Sequence, residues 1–266
     1  MTSRAEQPAP DYVPGHGLLV GRTVVVTAAA GAGIGAAVAR KVLEEGAQAV
    51  VLGDTHERRL GEATDALGAE FGAERVASVR CDVTKEDDVQ ALLDAAEPFG
   101  GVEVMINNAG LGGTASILDM TDEQWSLVLD VTLTGTFRCV RAASRRMIAH
   151  GTRGVIVNNA SVIGWRAQEG QAHYAAAKAG VMALTRSAAM DVAEHGIRVN
   201  AVSPSLAMHP FLAKVTSDEL LAELKGREAF GRAAEPWEIA NVMVFLASDY
   251  SSYLTGEVVS VSSQHA

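Results

Sequence analysis

Short valine-rich runs alternating with longer helical stretches predict an α/β protein. The fold class is a doubly wound parallel sheet of about seven strands, with helices on both faces, in a single domain. Two further observations support this. Three glycines, Gly31, Gly33 and Gly35, cluster directly behind the first run, and NNAG 107–110 and Ser161 close the fourth and fifth. Continuous apolar runs argue for strands buried on both faces, and strand–helix–strand repetition with right-handed crossovers argues for parallel pairing.

In chain order the runs are TVVVTA 23–28, QAVVLG 48–53, RVASVR 75–80, VEVMIN 102–107, GVIVNN 154–159, IRVNAV 197–202 and EVVSVS 257–262. Amphipathic or alanine-rich stretches at 34–45, 57–70, 85–97, 122–147, 173–195 and 236–248 supply the helices. Residues 1–20 read as an ordinary N-terminal extension without the apolar core of a signal peptide, and 21–266 as the domain. The uncharged segment 23–39 is at the low end for a membrane span, but its glycines favour strand, tight turn and helix. The long irregular stretch 203–231, after the sixth run, is expected to be a substrate loop or lid.

Composition narrows the function. The chain has 266 residues, 48% of them hydrophobic, and a net charge of −10 with no basic stripe, which argues against a nucleic-acid partner. Cys81 and Cys139 are too few for a disulfide framework and lack metal-ligand spacing; two reduced thiols and a cytoplasmic location are expected, with no metal and no membrane partner.

In a sheet of this kind the first strand-to-helix turn binds pyrophosphate, since glycines allow close backbone approach and helix N-terminal amides face the anion. AAAGAGIG 28–35 fills that turn, making Ala29, Gly31, Gly33, Ile34 and Gly35 cofactor candidates. Asp54 follows the second strand, where a carboxylate accepts from an adenosine ribose and repels a 2′-phosphate. Its neighbours Gly53 and Thr55 are not basic, and Arg58 and Arg59 read as solvated helix charges, so NAD is favoured over NADP. Asp82, in CDVT, is expected to be an N-cap and an adenine contact, with Val83 beside it.

HYAAAK 173–178 puts Tyr174 and Lys178 on one helix face. A phenol titrates near 10, too high for proton exchange at neutral pH, and a nearby ammonium lowers it. The intervening alanines leave room for a flat ligand. Ser161 stands thirteen residues before Tyr174, and NNAG 107–110 ends the fourth run.

With these pieces, the sequence resembles the short-chain dehydrogenases/reductases over roughly Gly21–Ser260, with RVNAVSP 198–204 and SSYLTGE 251–257 also matching. The resemblance implies a Rossmann-type fold and hydride transfer between nicotinamide and a carbinol or carbonyl carbon. It makes Tyr174 the general acid/base, has Ser161 hydrogen-bond the substrate oxygen, and has Lys178 hold the nicotinamide ribose and depress the phenol. It implies that Asn108, Ala109 and Gly110 line the cofactor, and that the assembly is a homotetramer built through 122–147 and 173–195.

The sequence departs from the family at several positions. Thr132 takes the place of the asparagine that completes a proton relay, and its hydroxyl is expected to hold a water instead. In a gapless alignment of the glycine turn Ala29 replaces the first glycine and Thr27 falls one residue too early. Pro204-Ser205 replaces Pro-Gly, His209 aligns with a threonine that meets the carboxamide, and VSVSSQ replaces the usual C-terminal pattern.

For substrate the sequence offers Trp165 and Arg166, just after Ser161, and Lys214, Lys225 and Arg227 in the lid. They suit a bulky alcohol or ketone with an anionic handle such as a coenzyme A thioester, or are ordinary solvated charges. SVIGWRAQ, AEPWEIA and SSYLTGEVVSVSSQ resemble an actinobacterial branch that oxidises ring hydroxyls on coenzyme A esters in steroid breakdown. Two alternatives stay open: an NADP-dependent 3-oxoacyl-thioester reductase, and a catalytically weak dinucleotide sensor.

Overall fold

A computed structural model describes residues 6–208 and 218–263. The seven strands are β1 (Thr23–Thr27), β2 (Ala49–Asp54), β3 (Val76–Arg80), β4 (Val104–Asn107), β5 (Val155–Asn159), β6 (Arg198–Pro204) and β7 (Val258–Val261). All pair in parallel, in the order β3-β2-β1-β4-β5-β6-β7. The order reverses between β1 and β4, which opens a crevice at their C-terminal ends, where open α/β sheets bind ligands.

Side chains alternate across the sheet and build two apolar layers. Val24, Val26, Leu52, Ile106 and Val157 face α1 (Ile34–Glu44), α2 (Glu57–Phe71) and a helix near the C-terminus, Pro236–Ala247. Val25, Val51, Met105 and Ile156 face α3 (Glu86–Asp94), α5 (Gly135–Ala149) and α6 (Ala172–Val192). Cys81 and Cys139 are reduced and buried in this second layer, and burial pushes the Cys81 thiol up to about 12.

The single helix expected over 122–147 is two. α4 (Asp122–Leu129) carries a Thr121–Gln124 capping box, then Asp130–Thr134 widen into a π-turn before α5. Such turns break the i→i−4 ladder and frequently mark functional sites. Helix 85–97 ends early, at Asp94, and Pro98 sits in a separate 3₁₀ turn. Within 203–231 a helix, α7 (Asp218–Arg227), precedes α8 (Pro236–Ala247).

Residues 7–18 form a strap against the domain. The Tyr12 ring meets Trp237 edge-on at 5.4 Å, and buried Lys41 donates to the Val13 carbonyl at 2.5 Å. Buried Glu45 accepts from the N–H groups of His16 at 2.7 Å and Leu18 at 3.0 Å, and Gln7 N–H donates to Phe230. No described helix is long and apolar enough to cross a membrane.

Candidate active site

The glycine turn is one residue longer than the gapless alignment allows. Thr27 Oγ1 accepts the N–H groups of Asn108 and Ala109, both at 3.0 Å, so it ties the turn to the β4 edge. Thr27 is therefore not out of place, and the extra residue follows it. Ala28 has φ 50°, the left-handed region where glycine is the ordinary choice. The missing glycine is thus at Ala28, not Ala29, which is buried and donates its N–H to Gly53. Gly35 must be bare: a Cβ there would lie 2.1 Å from the Ala28 carbonyl and 2.6 Å from Asn108 Nδ2. Above Gly31 and Gly33 a Cβ would meet nothing within 4 Å. Gly33 is the N-cap of α1, whose first helical residue is Ile34.

Asp54 stands beside this turn, accepting from Ala30 N–H at 3.1 Å and His56 N–H at 2.9 Å through different oxygens. A carboxylate has about four lone-pair sites, so acceptor capacity remains for a diol. Asp82 is not the cap of α3, whose N-cap is Lys85; its carboxylate closes a turn by accepting from Thr84 N–H and Oγ1 at 3.0 and 2.7 Å. Burial opposes that charge, but the Thr84 bonds together with the nearby Lys85 and Arg80 cations outweigh it and hold the carboxyl below its ordinary range. Val83 packs where a Gly135 side chain would stand.

Residues 107–110 sit between the two halves of the site. Asn107 donates to Asn158 at 2.8 Å, and Asn158 to Thr185 at 2.9 Å, inside the sheet–α6 layer. Asn108 points the other way and donates to the Ala28 carbonyl at 3.2 Å. A Cβ on Gly110 would come within 3.4 Å of Lys178 Nζ, and one on Gly112 within 3.7 Å of the Tyr174 ring.

Ser161, Tyr174, Lys178 and Thr132 converge on this segment. Ser161 follows β5 and caps the 3₁₀ turn Val162–Gly164, which packs onto α6. Burial pushes the Tyr174 phenol up, and a hydrogen bond with Ser161 opposes it. The expected lowering by Lys178 is not what the free protein shows. Lys178 is buried, its Nζ donates to the Asn159 carbonyl at 2.5 Å, and it lies 5.5 Å from the Tyr174 ring centre. Burial lowers it to about 8. Thr132 does not hold its hydroxyl ready for a water relay: Oγ1 donates to Leu111 C=O at 3.0 Å and accepts Leu111 N–H at 2.9 Å, so its one proton is committed.

The remaining candidates are dispersed. Trp165 is half exposed beyond the Ser161 turn, with Arg166 next to it. Pro204 closes β6, and Ser205 Oγ turns to buried Glu228 at 3.1 Å. Lys225 and Arg227 are ion-paired with Glu6 and Glu223, which favours the solvated-charge interpretation for them. His209 and Lys214 lie outside the described residues. No cluster of metal-ligating side chains occurs among the described residues. Two members carry roles the sequence did not disclose: Thr27, which the gapless alignment put one residue too early, and Asn159, visible only as the second asparagine of VNNAS.

The family described as Enoyl-(Acyl carrier protein) reductase matches residues 28–263. A crystal structure of a short chain dehydrogenase from Mycobacterium smegmatis superposes with a TM-score of 0.86 at 56% identity, over 97% of this chain and 99% of that one. The chain is a short-chain dehydrogenase/reductase. Among curated members of this oxidoreductase family, the Mycobacterium tuberculosis (5R,7aS)-5-hydroxy-7a-methyl-1-oxo-2,3,5,6,7,7a-hexahydro-1H-indene-carboxyl-CoA reductase is 62% identical over 260 residues, 97% of this chain and 98% of that protein. The cis-4-hydroxycyclohexanecarboxylate dehydrogenase of Sinomonas cyclohexanicum is 44% identical over 242 residues, 90% and 94% of the two chains. The residues present fit a dinucleotide: the space over Gly31 and Gly33 is open, Asp54 keeps free acceptor positions, and Asn159 Oδ1 is buried without a partner at the crevice floor.

Proposed function

We propose that this protein interconverts a ring secondary alcohol and its ketone on a cyclic acyl-coenzyme A, using NAD. The observation that carries the proposal is the hydrogen-bonded pair Ser161–Tyr174, with Lys178 buried one turn along α6, at the mouth of an open glycine turn. Bound nicotinamide supplies the hydride acceptor or donor. In oxidation Tyr174 Oη takes the carbinol proton; in reduction it returns one to the carbonyl oxygen. Ser161 donates to that oxygen and steadies the charge that develops on it. Lys178 holds the nicotinamide ribose, and the lowering of the phenol, which burial pushes up, falls to the Ser161 hydrogen bond. Asp54 holds the adenosine ribose and disfavours a 2′-phosphate, which supports NAD over NADP.

The ring-bearing substrate is supported by the printed activities of the two relatives, both of which act on a cyclic carboxyl compound, one as its coenzyme A ester. A homotetramer and a cytoplasmic location are part of the same proposal, from family membership.

The test is a cofactor titration followed by turnover. NADH is expected to bind more tightly than NADPH, and a hydroxycyclohexane-carboxyl-CoA to be oxidised with NAD in preference to the free acid. Tyr174→Phe is expected to keep cofactor affinity and lose turnover by about 10²-fold or more. An unchanged rate in that variant would sink the proton role, tighter NADPH binding would sink the Asp54 assignment, and equal use of the free acid would remove the thioester.

A further inference from the structure

The end of β5 carries a side chain that none of these steps uses. Strand alternation sends Asn158 toward α6 and Asn159 to the opposite face. There Asn159 Nδ2 donates to Asn108 Oδ1 at 2.9 Å, and Asn108 Nδ2 donates to the Ala28 carbonyl at 3.2 Å. The polarity of this chain is fixed from one end. A main-chain carbonyl only accepts, so Asn108 must present its amide NH₂ to Ala28, which leaves Oδ1 toward Asn159, and Asn159 must then present NH₂. The terminus of the chain is the strained residue of the glycine turn, with φ 50°. Such a conformation is strained for any residue but glycine and persists only when its surroundings hold it. The main chain of the same Asn159 accepts Lys178 Nζ at 2.5 Å. One residue therefore touches both halves of the site.

We propose that Asn159 is a positioning residue: acting through Asn108, it holds the left-handed turn at Ala28 in the shape that receives the dinucleotide's pyrophosphate. The inference rests on the cofactor proposed above, but the hydrogen-bond chain belongs to the free protein and is testable without cofactor. Asn159→Ala removes the donor and lets the Asn108 amide turn over. Asn159→Asp does more, because a carboxylate facing Asn108 Oδ1 is satisfied only if Asn108 turns its NH₂ away from Ala28.

The experiment has two readouts on wild type, Asn159→Ala, Asn159→Asp and each combined with Ala28→Gly. Amide hydrogen exchange of the free proteins is expected to quicken at residues 28–33 in both single variants. Fluorescence titration with NADH is expected to give a dissociation constant about tenfold weaker for Asn159→Ala and weaker still for Asn159→Asp. Glycine at 28 needs no tie, so the Ala28→Gly background is expected to recover most of that affinity. Unchanged exchange at 28–33 would overturn the proposal. So would a loss of affinity that Ala28→Gly does not recover, since that is the signature of a direct effect on the cofactor, charge repulsion in the case of Asn159→Asp, rather than of the turn. If wild type binds neither NADH nor NADPH the functional proposal fails, and the exchange data alone decide the role of Asn159.

Discussion

The Thr132 hydroxyl grips both main-chain groups of Leu111, donating to C=O at 3.0 Å and accepting N–H at 2.9 Å. Thr132 is fully buried on the π-turn between α4 and α5, and a Gly110 Cβ would approach its side chain at 3.8 Å. Its place is thus to fasten the segment that borders Lys178. Thr132→Val keeps the shape and removes both hydrogen bonds to the main chain of Leu111, a residue that is itself exposed, each bond contributing about 0.5–1.5 kcal/mol. We expect a loss of about 1–3 kcal/mol by denaturant titration, together with a fall in kcat, while Thr132→Ser keeps both within about 1 kcal/mol and threefold. If Val is tolerated in both measurements, the grip is incidental.

Ala28 predicts the opposite sign. A left-handed alanine costs about 1–2 kcal/mol, and glycine's greater freedom in the unfolded chain gives part of that back. Ala28→Gly is expected to raise stability by about 0.5–1 kcal/mol, seen as a Tm increase of a degree or two. A decrease would mean that the methyl group makes a contact worth more than the strain.

Lys178 gives a pH signature. Burial sets its folded value at about 8, below the value of about 10.4 for an exposed lysine. Below pH 8 both states are protonated and the full cost of the buried charge is present, about 3 kcal/mol for a shift of that size. Between the two values the unfolded chain binds more protons, so this cost is relieved as pH rises. Lys178→Met lacks it. The variant's stability relative to wild type should therefore be most favourable below pH 8 and fall steadily to pH 10, whatever constant penalty the unpaired Asn159 carbonyl adds. A flat difference across that range would show that the buried ammonium is not penalised. Turnover should be lost throughout.

The sheet was legible because its signal is additive: seven valine-rich runs, each ambiguous, agree once helices separate them. Tyr174, Lys178 and Ser161 were legible because the spacing along one helix and one strand end fixes where they point. What escaped depends on atoms from distant strands. Thr27 and Asn159 matter through Asn108, 81 and 51 residues away in sequence, and no local pattern encodes those bonds. The π-turn at Thr132 escaped because helical periodicity runs through 122–147 without a proline or glycine pair to interrupt it. The strap escaped because an uncapped polar N-terminus reads as loose until Lys41 and Glu45, whose helix face would otherwise be apolar, turn out to be buried against it.

That strap supports a last prediction. Glu45 is 2% exposed, accepts from His16 and Leu18, and lies 3.6 Å from Lys41, which is equally buried. Burial resists the Glu45 charge, but the two N–H groups and Lys41 overcome it and hold the carboxyl below its ordinary range. A depressed acid contributes stability that is complete above its unfolded value and is lost as pH falls through the folded one. Glu45→Gln keeps the volume, weakens both N–H contacts and leaves Lys41 with Glu44, at 3.7 Å, as its remaining counter-charge, a change expected to cost about 1–3 kcal/mol. We expect that loss near pH 7, with the gap to wild type closing as pH drops below 4.5 and wild-type Glu45 takes up its proton. Limited proteolysis should cut residues 6–16 faster in the variant at pH 7, because the strap's two anchors on α1 fail together. Equal cleavage rates with a stability loss would place the effect inside α1 and leave the strap held by its other contacts, Tyr12 on Trp237, Lys41 on Val13 and Gln7 on Phe230.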